Sequence, residues 1–130
     1  GTAVRAFMAQ RLVRVLCPQC RSTAQHSEDY LREVGFPLEH ADRVQKANGC
    51  EHCRQTGYRG RTAIFEICLV SQKLQEMIAQ KASANSLRPV ALADGMAPLR
   101  QDGWNKVAAG ITTVEEVVRV TTADVNVLDE

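Results

Sequence analysis

Short apolar clusters alternate with polar stretches along this chain, and their spacing predicts its elements. Over residues 3–16, Val4, Phe7, Met8, Leu12, Val15 and Leu16 recur near helical spacing, with Arg5, Gln10 and Arg14 off that stripe. This predicts an amphipathic leading helix that ends at Pro18. Ser27, followed by Glu28 and Asp29 and closed by Gly35, predicts a short helix over SEDYLREV. FPLEH reads as a loop and DRVQKANGC as a short strand. RTAIFEICLV is β-branched and apolar, carries Glu66 near its middle, and is bounded by Gly57, Gly60 and Ser71, so it predicts a mostly buried strand.

Beyond that strand the pattern turns helical. Ser71 can cap SQKLQEMIAQK, where Leu74, Met77 and Ile78 share a face. A further helix is expected from Asn85 or Ser86, with Pro89 in or near its first turn and Gly95 as its stop. PLRQDGWNKVAAG reads as a helix from Pro98 to Gly110. ITTVEEVVRVT pairs Thr113 with Glu116 in a capping-box pattern ahead of Val117, Val118 and Val120. The last residues, 124–130, read as a frayed tail. The fold class is therefore α+β, mainly helical. A single strand cannot satisfy its own backbone groups. It must pair with a strand of the insert that lies between the leading helix and itself, or join a sheet supplied by sequence outside the chain. Gly1 opens directly into the helical pattern without an initiating Met, so the chain reads as a piece of a longer protein.

Composition and charge narrow the chemistry. Aromatics make up 5% of the 130 residues, so aliphatic side chains must fill the core. The net charge of +1 argues against a nucleic-acid binder working through a broad basic field. No apolar run approaches a membrane span, and Arg5, Arg11 and Arg14 interrupt the start in a way unlike a signal peptide. The expectation is a soluble, intracellular chain, where thiols stay reduced and paired cysteines point to metal more than to disulfides.

Four of the five cysteines form two CxxC pairs, CPQC with Cys17 and Cys20, and CEHC with Cys50 and Cys53. A CxxC turn brings two sulfurs to one ion, and two such turns complete the tetrahedron that Zn²⁺ prefers. Residues 21–49 between the pairs hold few large apolar side chains, so a metal staple would help them fold. Two disulfides, a redox-active CPQC and an iron–sulfur cluster are the alternatives. A closed, structural zinc site is favoured over all three. His52, inside the second pair, is a possible competing ligand. For His52, as for His26 and His40, a solvated side chain is the preferred reading. Cys68, in the apolar strand, reads as a buried inert thiol. Arg54, Arg59 and Arg61 cluster with Gly57 and Gly60, a set able to grip a phosphate or carboxylate, though a solvated turn paired with local acids is favoured. No phosphate loop, HExxH or GxSxG is present, and nothing resembles a complete enzyme site.

QRLVRVLCPQC, GCEHCRQTGYRGRTAIFEI and DGMAPLRQDGWNKVAAGITTVEEVVRVT, in this order, resemble the C-terminal part of the type II secretion and type IV pilus assembly ATPases. The resemblance covers about residues 9–121, and QDGWNKV leans towards the type II branch. It implies a leading helix over 1–16 from the end of an ATPase core, a zinc-binding subdomain over 17–58, and a strand with C-terminal helices of a RecA-like domain over 59–123. It implies Cys17, Cys20, Cys50 and Cys53 as ligands of a structural Zn²⁺, and it suggests Arg59 and Arg61 as an interface. It further implies a parent that binds ATP and Mg²⁺ upstream of this chain and assembles as a homohexamer. That parent would work in the bacterial cytoplasm against inner-membrane secretion-platform proteins, with no nucleic-acid partner. The chain alone would not be catalytic.

Overall fold

The structure is a computed structural model and describes residues 6–69, 76, 77, 79, 80 and 98–129. Strand β1, Ala6–Leu16, pairs antiparallel with β4, Tyr58–Leu69, in a register running from Ala6↔Leu69 to Arg14↔Arg61. A bulge follows, and the ladder ends at Leu16↔Tyr58. Between these strands lie β2 (Ser22–Thr23), α1 (Glu28–Val34), a 3-10 turn (Leu38–Arg43), β3 (Gln45–Lys46) and a 3-10 turn (Glu51–Cys53). Helices α2, Leu99–Ala108, and α3, Val114–Asp129, follow β4 among the described residues.

The leading helix expected over 1–16 is corrected: its described part, from Ala6, is a strand. One face of β1 is buried through Val13, packed with Ile64 of β4 and Leu99 of α2. Met8 and Leu12 lie on the open face, 69% and 49% exposed. Pairing with β4 satisfies the facing edge of both strands, which no isolated helix–strand combination could do. The partner of RTAIFEICLV is thus the leading segment itself, and neither the cysteine segment nor sequence outside the chain is needed for that edge.

Other expectations hold. Ser27 caps α1 by accepting from the Tyr30 N–H at 3.1 Å, and Gly35 closes it. Pro98 precedes α2 as predicted. FPLEH, expected as a loop, enters the 3-10 turn, and α3 runs on to Asp129 where a frayed tail from 124 was expected. The helices expected from Ser71 and from Asn85 or Ser86 fall mostly or wholly outside the described residues, as does the side chain of Cys68.

The cysteine-bearing segment closes no core of its own. Its Ala24, Leu31, Phe36 and Val44 are buried in one cluster with Trp104 and Val107 of α2 and Val114 and Val117 of α3. Phe36 meets Trp104 edge-on, with ring centroids 5.3 Å apart. Each aliphatic side chain buried this way contributes about 1.5–3 kcal/mol. The segment is therefore welded to the helices that follow β4.

Candidate functional site

Strand pairing assembles the cysteine site. Because Leu16 pairs with Tyr58, the chain leaves β1 and enters β4 at the same end of the ladder. The Cys17 N–H then donates to Gly57 O at 3.0 Å, extending the pairing by one step into the cysteine turns. Residues 45–46 return antiparallel to 22–23, which brings the base of the second turn against that of the first. Asn48 fastens them further, its Nδ2 donating to Cys20 O and Ser22 Oγ.

The four sulfurs meet within 4.8 Å of one another. Cys17 Sγ lies 3.8 Å from Cys50 Sγ, Cys20 Sγ 3.8 Å from Cys53 Sγ, and Cys50 Sγ 3.7 Å from Cys53 Sγ. A disulfide would need about 2.05 Å. A tetrahedral ion with sulfurs at about 2.3 Å has sulfur–sulfur edges of about 3.8 Å. All four thiols are free, Cys17 and Cys53 are buried, and Cys20 and Cys50 are half-buried. The donor set therefore fits a closed, four-thiolate centre, and no two of the four sulfurs are joined in a disulfide.

The second turn is shaped to present sulfur. Arg54 and Gln55 adopt φ of 56° and 65°, folding the backbone so that the N–H of Gly57 donates to Cys53 Sγ at 3.1 Å. The Cys50 N–H donates to the same sulfur at 3.3 Å. Burial raises the Cys53 pKa, but the Gly57 and Cys50 N–H groups and the neighbouring thiols outweigh it and bring the thiol to about 6. Cys20 moves the other way, to about 11, raised first by burial and then by the adjacent thiols, against a lowering contact from the Gly49 N–H. Gly57 is required at its place: φ is 83°, and a Cβ would stand 2.5 Å from Ala47 Cβ.

Three histidines were candidates. His52 is exposed and contacts Arg59 Nη1, at 3.0 Å from Nδ1 and 2.9 Å from Nε2, and it takes no part in the cysteine cluster. His40 is half-buried, with its Nε2 3.8 Å from Glu39 Oε1. His26 departs from the solvated reading. Its side chain is four-fifths buried, it packs on Tyr30 at 5.3 Å, and its Nε2 stands 3.1 Å from Glu115 Oε1 without hydrogen-bond alignment. The arginine expectation also changes. Arg59 turns to His52, and neither Arg59 nor Arg61 pairs with an acid among the described residues. Arg61 and Arg14 border a shallow hollow of about 250 Å³ with Thr56, Tyr58 and Gly60.

A second polar centre stands beside the first. Glu116 is 2% exposed and accepts five hydrogen bonds. The Arg14 N–H, Nε and Nη2 donate at 2.9, 3.0 and 3.1 Å, and Arg119 Nε and Nη2 donate at 3.0 Å each. Burial raises the Glu116 pKa, but the Arg119 and Arg14 contacts prevail and hold it at about 2. Arg14 also lies over the Tyr58 ring at 4.1 Å. The capping-box reading survives in half: the Glu116 N–H donates to Thr113 Oγ1 at 3.1 Å, while the carboxylate turns to the arginines. Its partner Arg14 is 102 residues away, so no local pattern could reveal it.

Comparison with known proteins agrees with the motifs. A family model described as Type II/IV secretion system protein matches residues 1–119. The Type II secretion system protein E of Aeromonas hydrophila is 39% identical over 124 residues, covering 95% of this chain and 25% of that protein. The Type IV pilus assembly ATPase TfpB of Acinetobacter baylyi is 39% identical over 121 residues, 87% of this chain and 20% of the relative. The Type IV pilus assembly ATPase PilB of Thermus thermophilus is 38% identical over 120 residues, 91% of this chain and 14% of the relative. The chain spans a quarter or less of the length of these three proteins. No helix among the described residues is long and apolar enough to cross a membrane. Matched along nearly its whole length, the chain belongs to the Type II/IV secretion system protein family.

Proposed function

We propose that this chain is the zinc-bearing C-terminal part of a secretion ATPase of the type II, protein E kind, whose full-length form powers pseudopilus assembly and protein export. The observation that carries this reading is the convergence of Cys17, Cys20, Cys50 and Cys53 at tetrahedral edge spacing within a family member. In this role the four cysteines hold Zn²⁺ as thiolates. The ion supplies charge neutralisation and a rigid joint, and four protein ligands leave no position for water. The chain's own residues do the rest. Gly57 and Cys50 aim N–H groups at Cys53, and Asn48 clamps the two turns together. ATP and Mg²⁺ belong to sequence outside these residues, so the chain by itself is structural and not catalytic.

The parent then acts as a homohexamer at the cytoplasmic face of the bacterial inner membrane, against secretion-platform proteins. Arg59 and Arg61, exposed at the start of β4 and unpaired with acids among the described residues, are the proposed contact to a neighbouring subunit or to the rest of the parent. Reversing both charges in the full-length protein should weaken hexamer formation and lower the ATPase rate. Unchanged assembly and rate would remove that contact. A type IV pilus assembly role is the second reading, favoured by pilus ATPase relatives that are 39% and 38% identical beside 39% for the secretion relative. Complementation separates the two: a strain lacking its secretion ATPase should regain export with the full-length protein, whereas regained piliation alone would favour the pilus role.

A further inference from the structure

The turn between α2 and α3, residues 110–113, has each of its four residues held by chain that flanks the cysteines. Arg21, next after Cys20, donates from Nη1 to Gly110 O at 2.7 Å. The N–H of Leu16, just before Cys17, donates to Ile111 O at 2.8 Å. Thr112 Oγ1 donates to Arg14 O at 2.7 Å. Tyr58 Oη, five residues past Cys53, lies 2.9 Å from Thr113 Oγ1. Gly110 has φ of 77°, and a Cβ there would sit 3.0 Å from the Arg21 guanidinium, so the turn is fitted to that side chain. Thr112 and Thr113 are buried, which makes their two bonds costly to lose.

Three of these holds start from the β1–β4 ladder, at Arg14, Leu16 and Tyr58, and are placed by its own pairing. The fourth differs: Arg21 lies outside the ladder and takes its place from the turn that carries Cys17 and Cys20. Without an ion no bond joins the four sulfurs, all of which are free. The β1–β4 ladder carries its own backbone pairing and does not depend on the sulfurs in this way.

We propose that ion occupancy of the four-cysteine centre controls the order of the α2–α3 turn at Gly110 and Ile111, with Arg21 as the link. This rests on the metal reading above. With the ion bound, Arg21 is in register with Gly110. With the ion gone, the first cysteine turn loosens, the Arg21 hold slackens, and Gly110 and Ile111 lose order, while the ladder and the Glu116 anchor of α3 persist. The centre is thus a clamp on the helical region as well as a staple for its own segment. Trp104, the single tryptophan of the chain, reports on the change because it is 3% exposed in the core shared by Phe36 and α2.

The test uses the full 130-residue chain, reduced, in zinc-loaded and chelated forms, with zinc content measured in every sample. Hydrogen exchange and Trp104 emission are recorded for wild type, and exchange for zinc-loaded Arg21→Ala and Arg21→Lys. Chelation is expected to speed exchange at Gly110 and Ile111 by about tenfold or more, to red-shift Trp104, and to leave ladder amides and those of Glu116 and Val117 protected, all reversed by added zinc. Arg21→Ala should keep its zinc yet speed exchange in the same turn severalfold, and Arg21→Lys should restore part of the protection. Exchange changes confined to the cysteine turns, equal loss across the ladder, or an Arg21→Ala protein with wild-type exchange would each overturn the proposal. A loaded sample that holds no zinc would remove the metal reading and the proposal together, and the zinc assay distinguishes that from a loaded centre that fails to reach the turn.

Discussion

Two polar centres anchor the same end of β1, and they are built on opposite principles. The cysteine centre gathers four free thiols and, on the reading proposed above, is completed by a cation from solution. The Glu116 centre gathers one carboxylate and two guanidiniums and is complete within the chain. The first joins segments 33 residues apart, and the second joins segments 102 residues apart. Together they fix the cysteine segment and α3 to one ladder end. The difference teaches that a single junction can have one part answering to metal and another answering to pH.

The comparison is broken most severely by removing the ion. Chelation under reducing conditions should lower stability by several kcal/mol in urea unfolding, below the roughly 10 kcal/mol or more that zinc contributes to free-standing fingers, because the segment shares its core with α2 and α3. A chelated protein as stable as the loaded one would assign the staple to the core alone. Next comes the self-contained centre. Glu116→Ala strands Arg14 and Arg119 and should cost about 3 kcal/mol, at the lower end for a buried pair because both arginines are about half exposed. Zinc content of this variant should stay at the wild-type value.

Acid sharpens the contrast. Glu116 is depressed from 4.5 to about 2 in the folded protein, so its contribution is present above pH 4.5 and is lost as pH falls through about 2. The stability advantage of wild type over Glu116→Gln should therefore shrink by about 2–3 kcal/mol between pH 4.5 and 2. A gap that is flat across that window would mean that the carboxylate is not held as described. Smaller still, Gly57→Ala should cost about 2 kcal/mol through strain and the contact with Ala47, and should weaken zinc retention by displacing the N–H aimed at Cys53. The smallest effect is expected away from both centres: Ser27→Ala should cost about 1 kcal/mol by uncapping α1 and leave zinc and acid behaviour untouched.

What the sequence made legible follows from range. The cysteine centre was readable because each CxxC turn is local and the donor chemistry is specific. Ser27, Gly35 and Pro98 marked helix ends for the same reason. The leading strand was misread because Met8 and Leu12 stand four apart, a spacing that places two residues on one side of a helix and of a strand alike. Only pairing with Tyr58–Leu69 decides between them, and that partner lies beyond the whole cysteine segment. Glu116 was noticed as a local cap, yet its carboxylate obeys a tertiary partner. His26 looked like a loop side chain, and its burial comes from Tyr30 and from α3 packing over it. The shared core was hidden likewise, since few apolar residues between the cysteines suggested a separate small unit and gave no sign of Trp104 as their neighbour.

The most direct test of the central claim is elemental analysis of the chain, purified reduced and without chelator, beside Cys50→Ser. The account predicts about one zinc per chain in wild type and a loss of that zinc, with a fall in thermal stability, in the variant. Protein without metal and with fewer than five titratable thiols would contradict it, because the sulfurs would then be joined to one another and not to an ion.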